Sequence, residues 1–144
     1  MSKHIAIRNK LRDLVQGLDG FGAQRVALYK LDNVDKLPFV GIYLNETNTE
    51  NLHMMRECAT MERVLTVNVD IHLAESVDAD LKADNILETL EKQVLKAAKN
   101  GEIDGVRMVF LQSAEFRPTE RGKERSGDLV TTWAAEYDDS IDLT

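Results

Sequence analysis

"RVLTVNVDIHLA", residues 63–74, decides the fold of this chain. Leu65, Val67, Val69, Ile71 and Leu73 alternate strictly with Thr66, Asn68, Asp70 and His72. A period of two sends the aliphatic set to one face of a β-strand and the polar set to the other. A strand that is apolar on one side only belongs to an antiparallel or mixed sheet covered on that side, with its second face wetter. The cover must come from the flanking segments.

Downstream, "ESVDADLKADNILETLEKQVLKAAKNG" (75–101) predicts a long amphipathic helix. Ser76 and Asp78 are plausible N-caps, and Asp78 and Asp80 suit the positive end of the helix dipole. Ala83, Ile86, Leu87, Leu90, Val94 and Ala97 form its apolar stripe, and Asn100-Gly101 stops it. Upstream, Ile7, Leu11, Leu14, Val15 and Leu18 recur at helical spacing and end in a cluster of Gly17, Gly20 and Gly22. Lys3, Arg8, Lys10 and Arg12 make this first helix locally basic, which a solvated face explains.

Residues 25–31 and 38–44 read as two short strands around a polar turn, with Pro38 at a strand start or edge. The stretch 45–60, "NETNTENLHMMRECAT", reads as a long loop, and loops of that length are functional or mobile. Its apolar middle, Leu52 to Met55, suggests a partner surface. "GVRMVFLQSAEFRP" and "GDLVTTWAAEYDD" predict two further strands, the latter with Leu129, Thr131, Trp133, Ala135 and Tyr137 on one face. Core packing suits Trp133 and Tyr137 better than a role as interface anchors. The expected fold is α+β, in the order α-β-β-β-α-β-β. It is a single-layer mixed or antiparallel sheet of about five strands with two helices on one face, formed by one domain spanning 1–144.

Composition narrows the function. The 144 residues carry 25 acids against 18 bases, for a net charge of −7. That balance does not suit broad binding to a phosphate backbone, which needs clustered cations. Cys58 is the only cysteine, so an internal disulfide or a multi-thiolate zinc site is excluded and a reducing compartment is expected. The N-terminus lacks an apolar signal core, and no apolar run approaches the length of a membrane span. An intracellular, soluble protein is the simplest expectation.

Catalytic motifs are missing. His53 and Cys58 share the 45–60 stretch, and Asp70 and His72 share a strand face, but neither pair has a dense metal-ligand spacing. A solvated sheet face explains Asp70 and His72, and Arg56 beside Cys58 is weak ground for an activated thiol. The glycines at 17, 20 and 22 do not form a phosphate cradle. Glu136, Asp138, Asp139 and Asp142 could offer oxygen ligands to a divalent cation, but they read more simply as a solvated acidic tail.

There remains "FRPTERGKERSGDLVTTWAAEYD" (116–138), in which Arg117, Arg121, Lys123 and Arg125 are interleaved with Glu120 and Glu124. No aromatic residue sits among these charges to stack a base. Mixed charge suits either an unengaged turn or a hairpin arm that pairs with a protein surface of complementary pattern. Nucleic acid fits it less well.

The sequence of features resembles one family. An amphipathic helix comes first, then "DKLPFVGIYLNETNTE", then "VLTVNVDIHLAES" leading to a capped helix. Last is the charged hairpin, whose returning strand ends in Tyr137 and acids. This pattern is similar to the tail terminator proteins of long-tailed phages, the U-type minor tail protein of lambda-like siphophages. The resemblance implies a structural virion protein without catalysis or cofactor. Such a protein forms a hexameric ring that caps the tail tube, stops addition of the major tail tube protein and meets the head–tail connector. DNA would pass through the ring without specific binding, and the protein would reside in the virion tail after assembly in the host cytoplasm. Identical subunits in a ring use heterologous contacts that close by rotation. Arg56, Arg63, Arg117, Glu120, Arg121, Lys123, Glu124 and Arg125 are the residues expected, from position and chemistry, at subunit or partner interfaces. Two other classes stay open: a small metal-dependent enzyme using Asp70, His72, His53 and Asp138/Asp139, and a monomeric adaptor or regulator on the same scaffold.

Overall fold

In a computed structural model, the alternating segment is the centre of a longer strand. The structure describes the chain apart from residues 1–2, 19–20, 23–24, 30–37, 75–78, 104 and 122–123, and describes only the backbone at 74, 79–80, 118–121 and 124–126. The elements are α1 (Lys3–Gln16), β1 (Val26–Ala27), β2 (Phe39–Met54), β3 (Cys58–Ala74), α2 (Ala79–Lys99), β4 (Val106–Arg121) and β5 (Glu124–Asp142). The order α-β-β-β-α-β-β is as expected. The sheet runs β1-β2-β3-β5-β4, with β1 parallel to β2 and all other pairs antiparallel.

The two central strands supply the core. Ile71 stands between Val40 and Leu129, Val69 between Ile42 and Thr131, and Val67 between Leu44 and Trp133. Against this face pack Ile7, Leu11 and Val15 of α1 and Ala83, Leu90, Val94 and Ala97 of α2. Each fully buried aliphatic side chain contributes about 1.5–3 kcal/mol, so the period-two and period-3.6 stripes together select this layer arrangement. Gly101, at φ 68°, ends α2. Its N–H bonds to Ala98 O and that of Glu102 to Ala97 O, which satisfies carbonyls the helix leaves open. The expected caps Ser76 and Asp78 lie outside the described residues.

The stretch 45–60 is not a loop. It is the outer part of a β-hairpin whose register runs from Glu46↔Thr66 to Met54↔Ala59, closed by a short turn with Met55 N–H on Cys58 O at 2.9 Å. Backbone ladder bonds hold this part, so it needs no apolar alternation, and Thr47 and Thr49 tolerate the extended backbone. Register shifts near residues 45 and 51–52 break the pattern further, and Asn51 takes φ 47°, a conformation Asn tolerates better than most residues. The acidic tail is likewise a strand: residues 138–142 of β5 pair with residues 58–62 of β3. Of the strand expected at 25–31, the described residues pair only at Val26 and Ala27, with Val40 and Gly41, and residues 30–31 lie outside the described residues.

The polar face of β3 is drier than expected. Thr66, Asn68, Asp70 and His72 are each 8% exposed. A central strand has neighbours on both sides, and here they close over it: Tyr43 O–H donates to Asp70 Oδ2 at 3.0 Å, and Asn68 Nδ2 to Thr132 Oγ1 at 3.3 Å.

Candidate functional site

Among the described residues the sheet has two edges that are free for most of their length and two unlike ends. β1 covers β2 only at Val40 and Gly41. Among the described residues, no strand pairs with the outer edge of β2 from 42 to 54, nor with the outer edge of β4. Open edges present rows of backbone donors and acceptors, a template for another chain. β2 and β5 run one way, β3 and β4 the other. The β2–β3 turn and the close of β5 therefore share one end of the sheet, and the β4–β5 turn occupies the other.

The β4–β5 end carries the charged arm. Its ladder continues through Glu120↔Arg125 to Arg121↔Glu124, so the segment is a hairpin. Lys123 lies outside the described residues, as do the side chains of Glu120, Arg121, Glu124 and Arg125. Arg117 lies at the base of the arm on the polar face, opposite the helices, its Nη2 2.8 Å from Glu115 Oε2. That bond and its charge raise the Arg117 guanidinium above its usual value and hold the Glu115 carboxyl below the carboxylate range. Asp70 and Asp128 act on Arg117 in the same sense. On this face, too, His72 Nδ1 is 2.8 Å from Asp128 Oδ1.

At the opposite end are Arg56 and Arg63, in different situations. Arg56 is exposed in the β2–β3 turn. Arg63 is mostly covered, its Nε 3.1 Å from Asp139 Oδ2, so it locks two strands together within the subunit. At this end lies an open cleft of about 520 Å³ lined by Lys3, Asn51, His53, Thr60, Met61, Glu62, Asp138, Asp139 and Ser140. Its acids have internal partners: Asn51 Nδ2 donates to Glu62 at 2.8 Å, and Arg107 approaches Asp138 at 3.4 Å. At the same end, Leu52, Met54, Met55, Ile141 and Leu143 are all about half exposed or more. The apolar content of residues 52–55 is legible in sequence, but Ile141 and Leu143 join them only because β5 pairs with β3 down to Cys58↔Asp142 and Leu143 N–H bonds to Glu57 O.

Of the residues considered for metal chemistry, His53, Asp138 and Asp139 line the cleft and Asp70 and His72 lie away from it, and they do not form a ligand set. Asp70 binds Tyr43, His72 binds Asp128, and His53 sits opposite Thr60, ten positions along β3 from Asp70. Asp138 and Asp139 serve different arginines. Among the described residues no three His, Cys, Asp or Glu side chains are placed to hold an ion. Trp133 and Tyr137 are buried core groups, at 0% and 1% exposure, and are not surface anchors. Tyr137 seats α1: its hydroxyl bonds to His4 and its ring lies 5.5 Å from Lys3 Nζ.

This fold is similar to that of a chain from the virion of a native gene transfer agent particle. The likeness has a TM-score of 0.57 and 12% identity, and covers 94% of this chain and 98% of that one. No protein-family model matches the chain, and no curated protein matches it.

Proposed function

We propose that this protein is a structural subunit of a phage-like virion, a tail terminator that forms a six-membered ring on the tail tube. In this role it stops addition of the major tail tube protein and offers its far face to the head–tail connector. It works without catalysis or cofactor, assembles in the host cytoplasm and ends in the tail, with DNA passing through the ring unbound. The fold shared with a virion chain over nearly its whole length supports this reading, as does the family resemblance of the sequence.

One observation carries the ring. A second copy displaced sideways within the sheet sets its β2 antiparallel to β4 of the first, because strand directions alternate through β2, β3, β5 and β4. Antiparallel ladders are the more stable kind. Such a contact joins two different edges, so it is heterologous and closes into a ring when the rotation closes. The net acidity of the chain, spread over the ring, would repel a passing phosphate backbone.

Electron microscopy of the purified protein, alone and with tail tubes, tests the reading, with six-fold rings and capped tube ends expected. In a Cys58→Ser background, Asn48→Cys on β2 plus Met108→Cys on β4, which share a row of the sheet through Val64 and Glu136, should give a ladder up to hexamer with a short bismaleimide. Each single cysteine should give no ladder. A subunit that stays solitary beside tubes would overturn the reading.

A further inference from the structure

Resting on the ring reading, a second question is which rim of the ring meets the tube. Strands that continue from copy to copy cross the ring wall, so the two ends of the sheet lie on opposite rims. They differ in reach and in chemistry. β4 begins at Val106, opposite Tyr137, whereas β5 continues to Asp142 and the β2–β3 hairpin continues beside it. At about 3.3 Å per residue, the five extra residues project roughly 17 Å beyond β4. The tip of this projection exposes Leu52, Met54, Met55, Ile141 and Leu143, five of the nine large apolar side chains exposed among the described residues. Glu50, Glu57 and Asp142 flank them, with Arg56 as the one cation in the turn.

We infer that this overhanging apolar tip is the surface that docks on the end of the tube, seating in an apolar groove rimmed by basic groups on a different protein. Concentrated apolar exposure on a soluble chain marks an interaction site, and flexible methionines adapt to a partner's relief. A second copy is the wrong occupant on two counts. Tip against tip would bring Glu50, Glu57 and Asp142 against their own copies, which is repulsive. Tip against arm would press five apolar groups on "PTERGKERSG", which offers almost no apolar surface. A basic-rimmed apolar groove on another protein satisfies both the centre and the rim.

The test uses the full-length ring and purified tail tubes, with Leu52→Ser, Met54→Ser and Met55→Ser combined in one variant. The variant should still form rings, which shows that it folds, and its affinity for tube ends in co-sedimentation should fall by about 100-fold or more. Arg121→Glu, Lys123→Glu and Arg125→Glu together, at the other rim, should leave tube capping unchanged. Normal capping by the serine variant overturns the inference while the ring reading stands. So does failure of that variant to form rings, which would make the tip a contact between copies. Pairing of wild-type rings in solution that the serine variant abolishes would overturn it by making a second copy the occupant. If the wild type neither forms rings nor caps tubes, the terminator reading itself fails and takes this inference with it.

Discussion

Trp133 donates its indole N–H to Thr131 Oγ1 at 2.9 Å, and both side chains are fully buried on the helix-facing side of β5. The same hydroxyl donates to Val69 O at 2.6 Å. One small polar group thus satisfies the largest aromatic of the core and a carbonyl of the neighbouring strand. Thr131→Val keeps the shape but leaves the indole N–H without an acceptor. It should destabilise the protein by about 1–3 kcal/mol, whereas Thr131→Ser, which keeps the oxygen, should cost clearly less than Thr131→Val. Urea denaturation of the three proteins measures the difference.

Gly127 lies under the ring of Phe116. A Cβ there would stand 2.6 Å from Phe116 Cζ and 2.7 Å from Cε2, inside any allowed contact. Gly127→Ala should therefore destabilise by about 1–3 kcal/mol through overpacking. Pairing it with Phe116→Leu should recover part of that loss, so a double-mutant cycle in thermal denaturation should show coupling.

Tyr43 gives the polar face of the sheet a pH dependence. Burial, then its hydrogen bond to Asp70 and the carboxylate charge, push the phenol from 10.0 up to about 12. The neutral phenol is favoured in the folded state, so its contribution is fully present below pH 10.0 and is lost as pH rises through about 12. Wild-type stability should fall across that window more steeply than that of Tyr43→Phe. Below it, Tyr43→Phe should be the less stable protein, because Asp70 loses a donor. Thermal melts across the alkaline range check both signs.

The charged arm offers a test of assembly without a test of folding. Reversing Arg121, Lys123 and Arg125 to glutamate alters only the far end of the β4–β5 ladder, where it sets Glu opposite Glu at two positions, so the loss of stability should not exceed about 2 kcal/mol and the core should stay folded. Joining of capped tails to heads should be lost, since every charged residue from 120 to 125 would then be an acid. Particle reconstitution scored by electron microscopy reads this directly, and normal joining would reduce the arm to a turn.

Much of the architecture was legible because its signals are local. Leu65 to Leu73 repeat at two and Ala83 to Ala97 near 3.6, and each period names both an element and the face it buries. The hairpin at 45–60 and the strand at 138–142 were not legible, because their side chains carry no apolar stripe. They are strands through backbone bonds to residues 58–66, and a ladder depends on a neighbour's position and not on its own composition. Arg63 reads as a surface cation in sequence, and only the β3–β5 register, which sets Asp139 beside it, turns it inward as a strap.

The sequence by itself determined which surfaces are apolar, and so the layers, the helix positions and the burial of Trp133 and Tyr137. Tertiary structure alone decided which strand edges stay open, which polar pairs close over β3, and that Leu52, Met54 and Met55 share one end of the sheet with Ile141 and Leu143. The physical reason is range. Hydrophobic periodicity acts through residues a few positions apart, whereas edges, cross-strand pairs and assembled patches exist only once segments distant in the chain have been fixed side by side.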